Sequence, residues 1–252
     1  MLAVLIGVAV LAFGLYDYSS FLLANPDYIT VAPPFYFNAY DAFLWSLDLF
    51  SLVAPVLAVL PFADSLAQDV RSGYARSVLI RASYKRYMLA KVVAGALAGG
   101  MAIGLALVLL FICTNLLFPR GMNMAPYTRR ISLDGKDLSA FGYLYHSQPD
   151  LYIAARIGLG ALFGMTYALL GLAISAVTTS RYIVLAMPLV LFFVAQLVIA
   201  LLGIPKWLPT NAIAPLTVQN VTAVHVFTVL GITAGVALGM LLMFIPRVRA
   251  RI

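Results

Sequence analysis

Six apolar segments, separated by shorter polar stretches, constrain this chain more than any other feature. They are Met1–Tyr16, Ala42–Phe62, Val92–Phe118, Leu151–Val177, Tyr182–Gly203 and His225–Ile245. Most reach the roughly 20 residues that a helix needs to cross a hydrocarbon core about 30 Å thick. Only 10% of the residues are charged, whereas a soluble domain carries about 25%. The segments therefore predict that the membrane is the solvent.

The backbone decides which kind of membrane protein forms. In lipid, only helices and closed barrels satisfy all backbone hydrogen bonds. Barrel strands would show alternation over segments of about ten residues, which this sequence lacks. We therefore expect an all-α polytopic membrane protein, with six transmembrane helices in a single domain covering residues 1–252.

The basic residues predict the orientation. Ten of the 16 Lys and Arg lie in the loop Pro61–Lys91 and in segments on the same side of the predicted bundle. The loops on the other side, Asp17–Asp41, Pro119–Asp150 and Ile204–Val224, hold five. By the positive-inside rule, Pro61–Lys91 and both termini are cytoplasmic. The basic residues lie in loops next to the apolar segments. This distribution indicates membrane orientation and not a nucleic-acid-binding surface, so we expect no nucleic-acid partner.

Small residues recur at four-residue spacing in three segments. The pairs and triplet are Gly95/Gly99, Gly100/Gly104, Gly160/Gly164 and Gly231/Gly235/Gly239. This spacing places the glycines on one helix face, where two backbones can approach closely. It predicts packing within the bundle, with a dimer seam as the alternative for one stripe.

Separately, the proline-rich stretch Ile204–Val224 is compatible with a short re-entrant segment.

Two ionisable residues lie within predicted spans, Asp48 in the second and Arg156 in the fourth. Both positions are near the outer face. An ionisable group in a span usually faces the bundle interior or water and has a partner. The hypothesis is an intramembrane polar pair between Asp48 and Arg156. The alternative is that each side chain reaches the interface separately.

The loop Pro61–Lys91 contains more pattern than a passive connection needs. The second span is expected to continue as a helix through Ala63–Ser72, and Gly73 is a plausible C-terminal stop. A short helix follows at Tyr74–Ile80, and Ser83 is expected to be the N-cap of the helix that becomes the third span. Three apolar residues of the short helix are expected to share one face: Tyr74, Val78 and Leu79.

Motifs for catalysis are missing from the sequence. No G-x-x-x-x-G-K-[ST] occurs, since the only Gly-Lys pair, Gly135-Lys136, is followed by Asp137. No H-E-x-x-H or His/Cys/Asp cluster suggests a metal site. We expect no enzyme activity, no catalytic residue and no metal in this chain. An ion-coupled secondary transporter is the alternative class, although Asp48 is the only deep acidic candidate.

The loop resembles the first cytoplasmic loop of type-2 ABC transporter permeases. The residues that carry the resemblance are Leu60–Ser65, Asp69-Val70-Arg71-Ser72-Gly73-Tyr74, Val78-Leu79-Ile80-Arg81, Ser83, Lys85-Arg86 and Lys91. The likeness covers about a third of the chain by motif and the whole chain by its six-span topology. Departures exist: many relatives carry Glu at the position of Gln68 or Asp69, and many begin with an amphipathic helix before the first span.

The resemblance implies a function. The short helix would be a coupling helix, between the second and third spans in loop 63–91, that docks on separate ABC ATPase subunits. A second permease copy, identical or paralogous, would complete the transporter in a bacterial plasma membrane. ATP and Mg²⁺ would bind the ATPase and not this chain, and the cargo would be hydrophobic or amphipathic, such as a peptide, lipid or drug. The implied ATPase-coupling residues are Asp69, Arg71, Gly73, Tyr74, Arg76, Val78, Leu79 and Arg81.

Overall fold

The computed structural model describes residues 2–24, 38–62, 65–81, 83–118, 120, 140–178, 180–214 and 221–251, and no strand occurs among them. Its helices are α1 Leu2–Ala24, α2 Ala39–Val59, α3 Ser65–Arg71, α4 Tyr74–Leu79, α5 Tyr84–Leu117, α6 Gly142–Ser147, α7 Pro149–Val177, α8 Arg181–Leu201 and α9 Ala223–Arg251. Two short 3-10 turns, Pro205–Trp207 and Pro209–Ala212, lie between α8 and α9.

Six of these helices are long and apolar enough to cross a membrane: α1, α2, α5, α7, α8 and α9. This finding confirms the prediction of an all-α polytopic membrane protein with six spans. The bundle has two ends. The basic end holds α3, α4 and the start of α5, and the opposite end holds α6 and the two 3-10 turns. The first residue of α1 and the last residue of α9 both lie at the basic end.

Side-chain caps fix the start of α2 at the opposite end. The Asn38 side chain accepts a hydrogen bond from the Asp41 backbone N–H at 2.8 Å, which satisfies an otherwise free donor of the first helical turn. Its amide also donates to the Asp41 carboxylate at 2.9 Å. The Tyr145 hydroxyl of α6 donates to the other carboxylate oxygen of Asp41 at 3.3 Å. Asp41 thereby joins α2 to α6.

The first span is longer than the sequence predicted. Helix α1 continues past Tyr16 to Ala24. The hydroxyls of Ser19 and Ser20 donate to backbone carbonyls one turn earlier, each at 2.8 Å, so these polar residues fit within the helix. The Trp45 indole N–H of α2 donates to the Asp17 carboxylate at 3.0 Å. Asp17 therefore belongs to the α1–α2 contact and not to a loop.

The second span ends earlier than predicted. Helix α2 stops at Val59, and Leu60–Phe62 form a turn, so the helix does not continue from Phe62 into the loop. Pro61 occupies this turn and has no backbone N–H to continue the helical hydrogen bonds. The Ser65 N–H donates to the Phe62 carbonyl at 3.0 Å, which leads into α3. Ala63 and Asp64 lie outside the described residues.

Helices α5 and α7 make the closest contact between two spans. A methyl group built on Gly99 would lie 2.7 Å from the Gly164 carbonyl oxygen and 2.8 Å from that of Ala58. One built on Gly164 would lie 2.5 Å from the Gly99 oxygen. These glycines pack within the bundle, as their spacing predicted. The α9 glycines do not: no described atom lies within 4 Å of a methyl group at Gly231, Gly235 or Gly239.

We expect Gly99→Leu to destabilise the bundle by about 3 kcal/mol or more, because the new side chain meets backbone atoms that cannot move aside. The matched control Gly231→Leu places the same side chain where no described atom opposes it, so stability should change by less than about 0.5 kcal/mol. Thermal unfolding in nanodiscs measures both. Equal effects of the two substitutions would contradict the assignment of the Gly99 contact.

Candidate functional site at the basic end

Gly73 separates α3 from α4 by its backbone conformation. Its φ is +72°, in the left-handed region that glycine adopts without a steric cost. Its N–H donates to the Val70 carbonyl at 3.4 Å, which closes the end of α3. Steric contact with neighbouring residues does not require glycine at this position, since no described atom lies within 4 Å of an added methyl group. Gly73 therefore stops α3 and starts α4, as the sequence indicated.

Helix α4 rests on the bundle through a small apolar core, which we call the basic-end cluster. Its buried members are Leu66, Ala75, Tyr87, Met88, Leu172, Ala173, Ala176 and Leu241, and Val78 and Leu79 pack against it. These residues come from α3, α4, α5, α7 and α9. The cluster therefore connects the short helix to three of the spans.

The two faces of α4 differ from the sequence prediction. Ala75, Val78 and Leu79 face the cluster, because i, i+3 and i+4 positions share a helix face. Tyr74 does not share that face and is 57% exposed. Val78 and Leu79 thus attach α4 to the bundle, whereas Tyr74 is directed outward.

Apolar and basic side chains in and next to α4 are exposed. Ile80, which is not among the implied ATPase-coupling residues, is 85% exposed. Arg71, Arg76 and Arg81 are also exposed. We call Tyr74, Ile80 and these three arginines the α4 outer surface.

Asp69 has an internal role. Its carboxylate accepts hydrogen bonds from Lys91 Nζ at 2.8 Å and from the Tyr87 hydroxyl at 2.7 Å. The Asp69 and Lys91 side chains are each only 14% exposed. Lys91 Nζ also lies 5.0 Å from the centroid of the Phe62 ring, within the range of a cation–π contact. Asp69 therefore fastens α3 to α5 and is directed into the bundle.

Ser83 marks the start of α5 as predicted, but not through its hydroxyl. Its backbone is extended, with φ −67° and ψ 144°, and its side chain makes no capping hydrogen bond. The Ser83 carbonyl accepts from the Tyr87 N–H at 3.1 Å. The short α4 is thus followed almost at once by a helix of 34 residues.

At the opposite end, the structure does not bring Asp48 and Arg156 together. No ion pair joins these two side chains in the described part of the chain. Asp48 lines a cleft between α1 and α2 together with Phe13 and Trp45. Arg156 is 1% exposed, and its Nη2 donates to the carbonyls of Asn211 at 3.3 Å and Ile213 at 3.0 Å. The predicted pair is wrong because main-chain carbonyls, and not a carboxylate, accept from the guanidinium.

The segment that Arg156 contacts folds back against the helices. Residues 209–214 are buried, and the Asn211 amide donates to the Pro205 and Lys206 carbonyls at 3.1 and 3.0 Å. Arg156 Nε and Nη1 have no hydrogen-bond partner among the described residues. Buried non-helical backbone needs internal donors, and Arg156 supplies one to this segment.

Comparisons of the chain with protein-family models, with curated proteins and with solved structures find no match.

We expect Asp69→Ala to weaken the attachment of α3 and α4. Hydrogen bonds to charged groups contribute roughly 1.5–3 kcal/mol, and the substitution removes two of them. Amide hydrogen exchange over Ser65–Leu79 should accelerate. The matched control is Gln68→Ala in the same helix, where the side chain is exposed. A double-mutant cycle with Lys91→Met should give a coupling energy of about 2 kcal/mol, and additive effects would contradict the assigned ion pair.

We expect Arg156→Met to release the segment 205–214 without lowering global stability. The substitution removes donors from two carbonyls but also removes a buried cation, whose desolvation is costly. Amide exchange within 205–214 should accelerate by about tenfold or more, as expected for a hydrogen bond to a charged group. Lys206→Met, at an exposed residue of the same segment, serves as the control. Unchanged exchange in the Arg156 variant would show that Arg156 does not hold the segment.

Proposed function

We propose that this chain is the transmembrane permease subunit of an ATP-driven ABC exporter. In this proposal the basic end faces the cytoplasm, and α4 is the coupling helix that docks on a separate ATPase. The single observation that supports the proposal most is the construction of α4. One face of a six-residue helix packs against a cluster that includes residues of three spans. Tyr74, Ile80 and three arginines, in or next to this helix, are exposed.

The α4 outer surface suits docking into a protein groove. Aromatic and arginine side chains are among the types that contribute most to binding energy at protein interfaces. Tyr74 and Ile80 would fill apolar pockets, and Arg71, Arg76 and Arg81 would meet acidic residues at the rim of the groove. The partner is therefore expected to offer a groove with an apolar floor and acidic edges.

The contacts behind α4 supply a route from the partner to the spans. Val78 and Leu79 press on the basic-end cluster, which includes residues of α5, α7 and α9. The Asp69–Lys91 ion pair joins α3 to α5. Since Gly99 and Gly164 bring the backbones of α5 and α7 into contact, a displacement of α4 would move both helices together.

The rest of the proposal follows the family that the loop resembles. Two permease chains and two ATPase chains would assemble in a bacterial plasma membrane, with both termini of this chain in the cytoplasm. ATP and Mg²⁺ would bind the ATPase. The cargo would be a hydrophobic or amphipathic molecule, such as a peptide, lipid or drug.

One observation favours a second candidate, an ion-coupled secondary transporter. The cleft between α1 and α2 has a volume of about 470 Å³ and is lined by two carboxylates, Asp17 and Asp48. Carboxylates within spans mark ion and proton pathways in transporters. The two candidates differ in the energy source, so cargo movement in proteoliposomes driven by an ion gradient without ATP would favour the second.

We expect substitution of the α4 outer surface to abolish ATPase binding. Tagged chain, purified from its native membrane, should retain a subunit that carries G-x-x-x-x-G-K-[ST], and ATP hydrolysis by that subunit should be higher in the complex. Tyr74→Ala combined with Ile80→Asp should reduce both binding and stimulation by at least about tenfold, as hot-spot residues do.

The matched control is Tyr143→Ala at the opposite end, because Tyr143 is 59% exposed, close to the exposure of Tyr74. This control should bind and stimulate as the unmodified chain does. Retention of the ATPase by the Tyr74/Ile80 variant, with normal stimulation, would refute α4 as the coupling helix.

A further inference from the structure

A second feature of the basic end is a cleft between α5 and α9, to whose lining α4 contributes no residue. Its volume is about 750 Å³, within the roughly 300–1,000 Å³ of small-molecule sites in proteins. Helices α5 and α9 run antiparallel along it. Ser83, Tyr84 and Lys85 line it where α5 begins, and Val92 and Leu238 line it further into the bundle.

The cleft is polar at one end and apolar along the rest of its length. Lys85 is exposed at the polar end. Beyond it, Leu89, Leu241 and Leu242 add to the apolar walls. No acidic side chain is among the described residues that line it. A cation at the membrane boundary with an apolar channel below it matches the two parts of a negatively charged phospholipid.

We propose that this cleft binds a phospholipid with a negatively charged headgroup. The phosphate lies at Lys85, within reach of the hydroxyl-bearing residues Ser83 and Tyr84. One acyl chain lies between α5 and α9 and covers Leu89 and Leu242, which are 64% and 69% exposed in the chain alone.

Charge around the cleft supports this occupant. Arg81 and Arg86 are exposed on either side of Lys85 in the sequence. Clusters of basic residues next to a span attract anionic lipids. Lys85, the cation that lines the cleft, therefore has two further exposed cations close to it in the sequence.

The floor of the cleft distinguishes it from an ordinary lipid-facing surface. Met88 and Leu241 line the cleft and are also buried members of the basic-end cluster. A lipid bound here contacts the same side chains that support α4 from the other side. The site does not depend on the proposed transport function, because it rests only on the cleft and on the charge at its end.

Native mass spectrometry of the full chain can test the proposal, with phosphatidylglycerol and phosphatidylcholine of identical acyl chains as probes. The unmodified chain should retain phosphatidylglycerol in preference to phosphatidylcholine. Lys85→Gln should reduce that preference about fivefold, as expected for one cation near the membrane surface. Leu238→Trp fills the apolar part and should reduce retention of both lipids.

Matched controls separate the cleft from general effects. Lys206→Gln removes a lysine at the opposite end, and Leu197→Trp places tryptophan on α8 at a leucine that is 60% exposed. Both should retain lipid as the unmodified chain does. If Leu238→Trp does not fold, the lipid preference of Lys85→Gln alone tests the proposal. The Lys85 side chain is exposed, so this substitution should not disturb folding.

Four outcomes would overturn the proposal. They are equal retention of the two lipids by the unmodified chain, unchanged preference in Lys85→Gln, displacement of the lipid by soluble glycerol phosphate, and a chain dimer that Leu238→Trp dissociates. Displacement by glycerol phosphate would show that the cleft binds a soluble phosphate and not a lipid. A dimer that Leu238→Trp dissociates would assign the cleft to a second copy of the chain.

Discussion

The contact between the backbones of α5 and α7 is the interaction on which the rest of the structure depends. In lipid, apolar side chains gain little by leaving the solvent, so spans associate through close packing and internal hydrogen bonds. Gly99 and Gly164 permit such packing because each lies against the main chain of the other helix. Helix α7 also contacts α2, α8 and α9, so the α5–α7 pair forms the centre of the bundle.

The basic end is built on that centre. Leu172 and Ala173 of α7 and Tyr87 and Met88 of α5 form the buried surface on which α3 and α4 rest. The Asp69–Lys91 ion pair then fixes α3 in direction as well as in position. The combination of apolar and charge-assisted contacts makes the loop a structured part of the bundle. Its outer surface is consequently presented in one orientation, which is what a docking site requires.

Much of the fold was readable from the sequence, for identifiable reasons. Span length and apolar composition predicted six crossing helices. Gly73 was readable because a left-handed residue between two helical segments is normally glycine. The order of helices in the loop followed from Gly73 and Ser83. What remained hidden depended on register and on distant partners. A helix as short as α4 offers too few positions to distinguish Tyr74 from Ala75 as the inward residue.

The polar contacts were harder to predict because no residue pattern in the sequence indicates their partners. Arg156 donates to main-chain carbonyls of the folded-back segment 205–214, and any residue type supplies a carbonyl. Asp69 appeared as a docking residue by resemblance, but its partners Tyr87 and Lys91 lie on another helix. Such pairings become visible only when the helices are placed in space. The proposed coupling role therefore rests on exposed residues, with Asp69 as internal support.

Site-specific photocrosslinking on the two faces of α4 tests the coupling claim most directly. A photoreactive phenylalanine at Ile80 lies on the exposed tip, and one at Leu79 faces the basic-end cluster. In native membranes, the account predicts a crosslink to a P-loop ATPase from position 80 and none from position 79. Crosslinks from both positions alike, or from neither, would contradict the claim that the outward surface of α4 is the docking site.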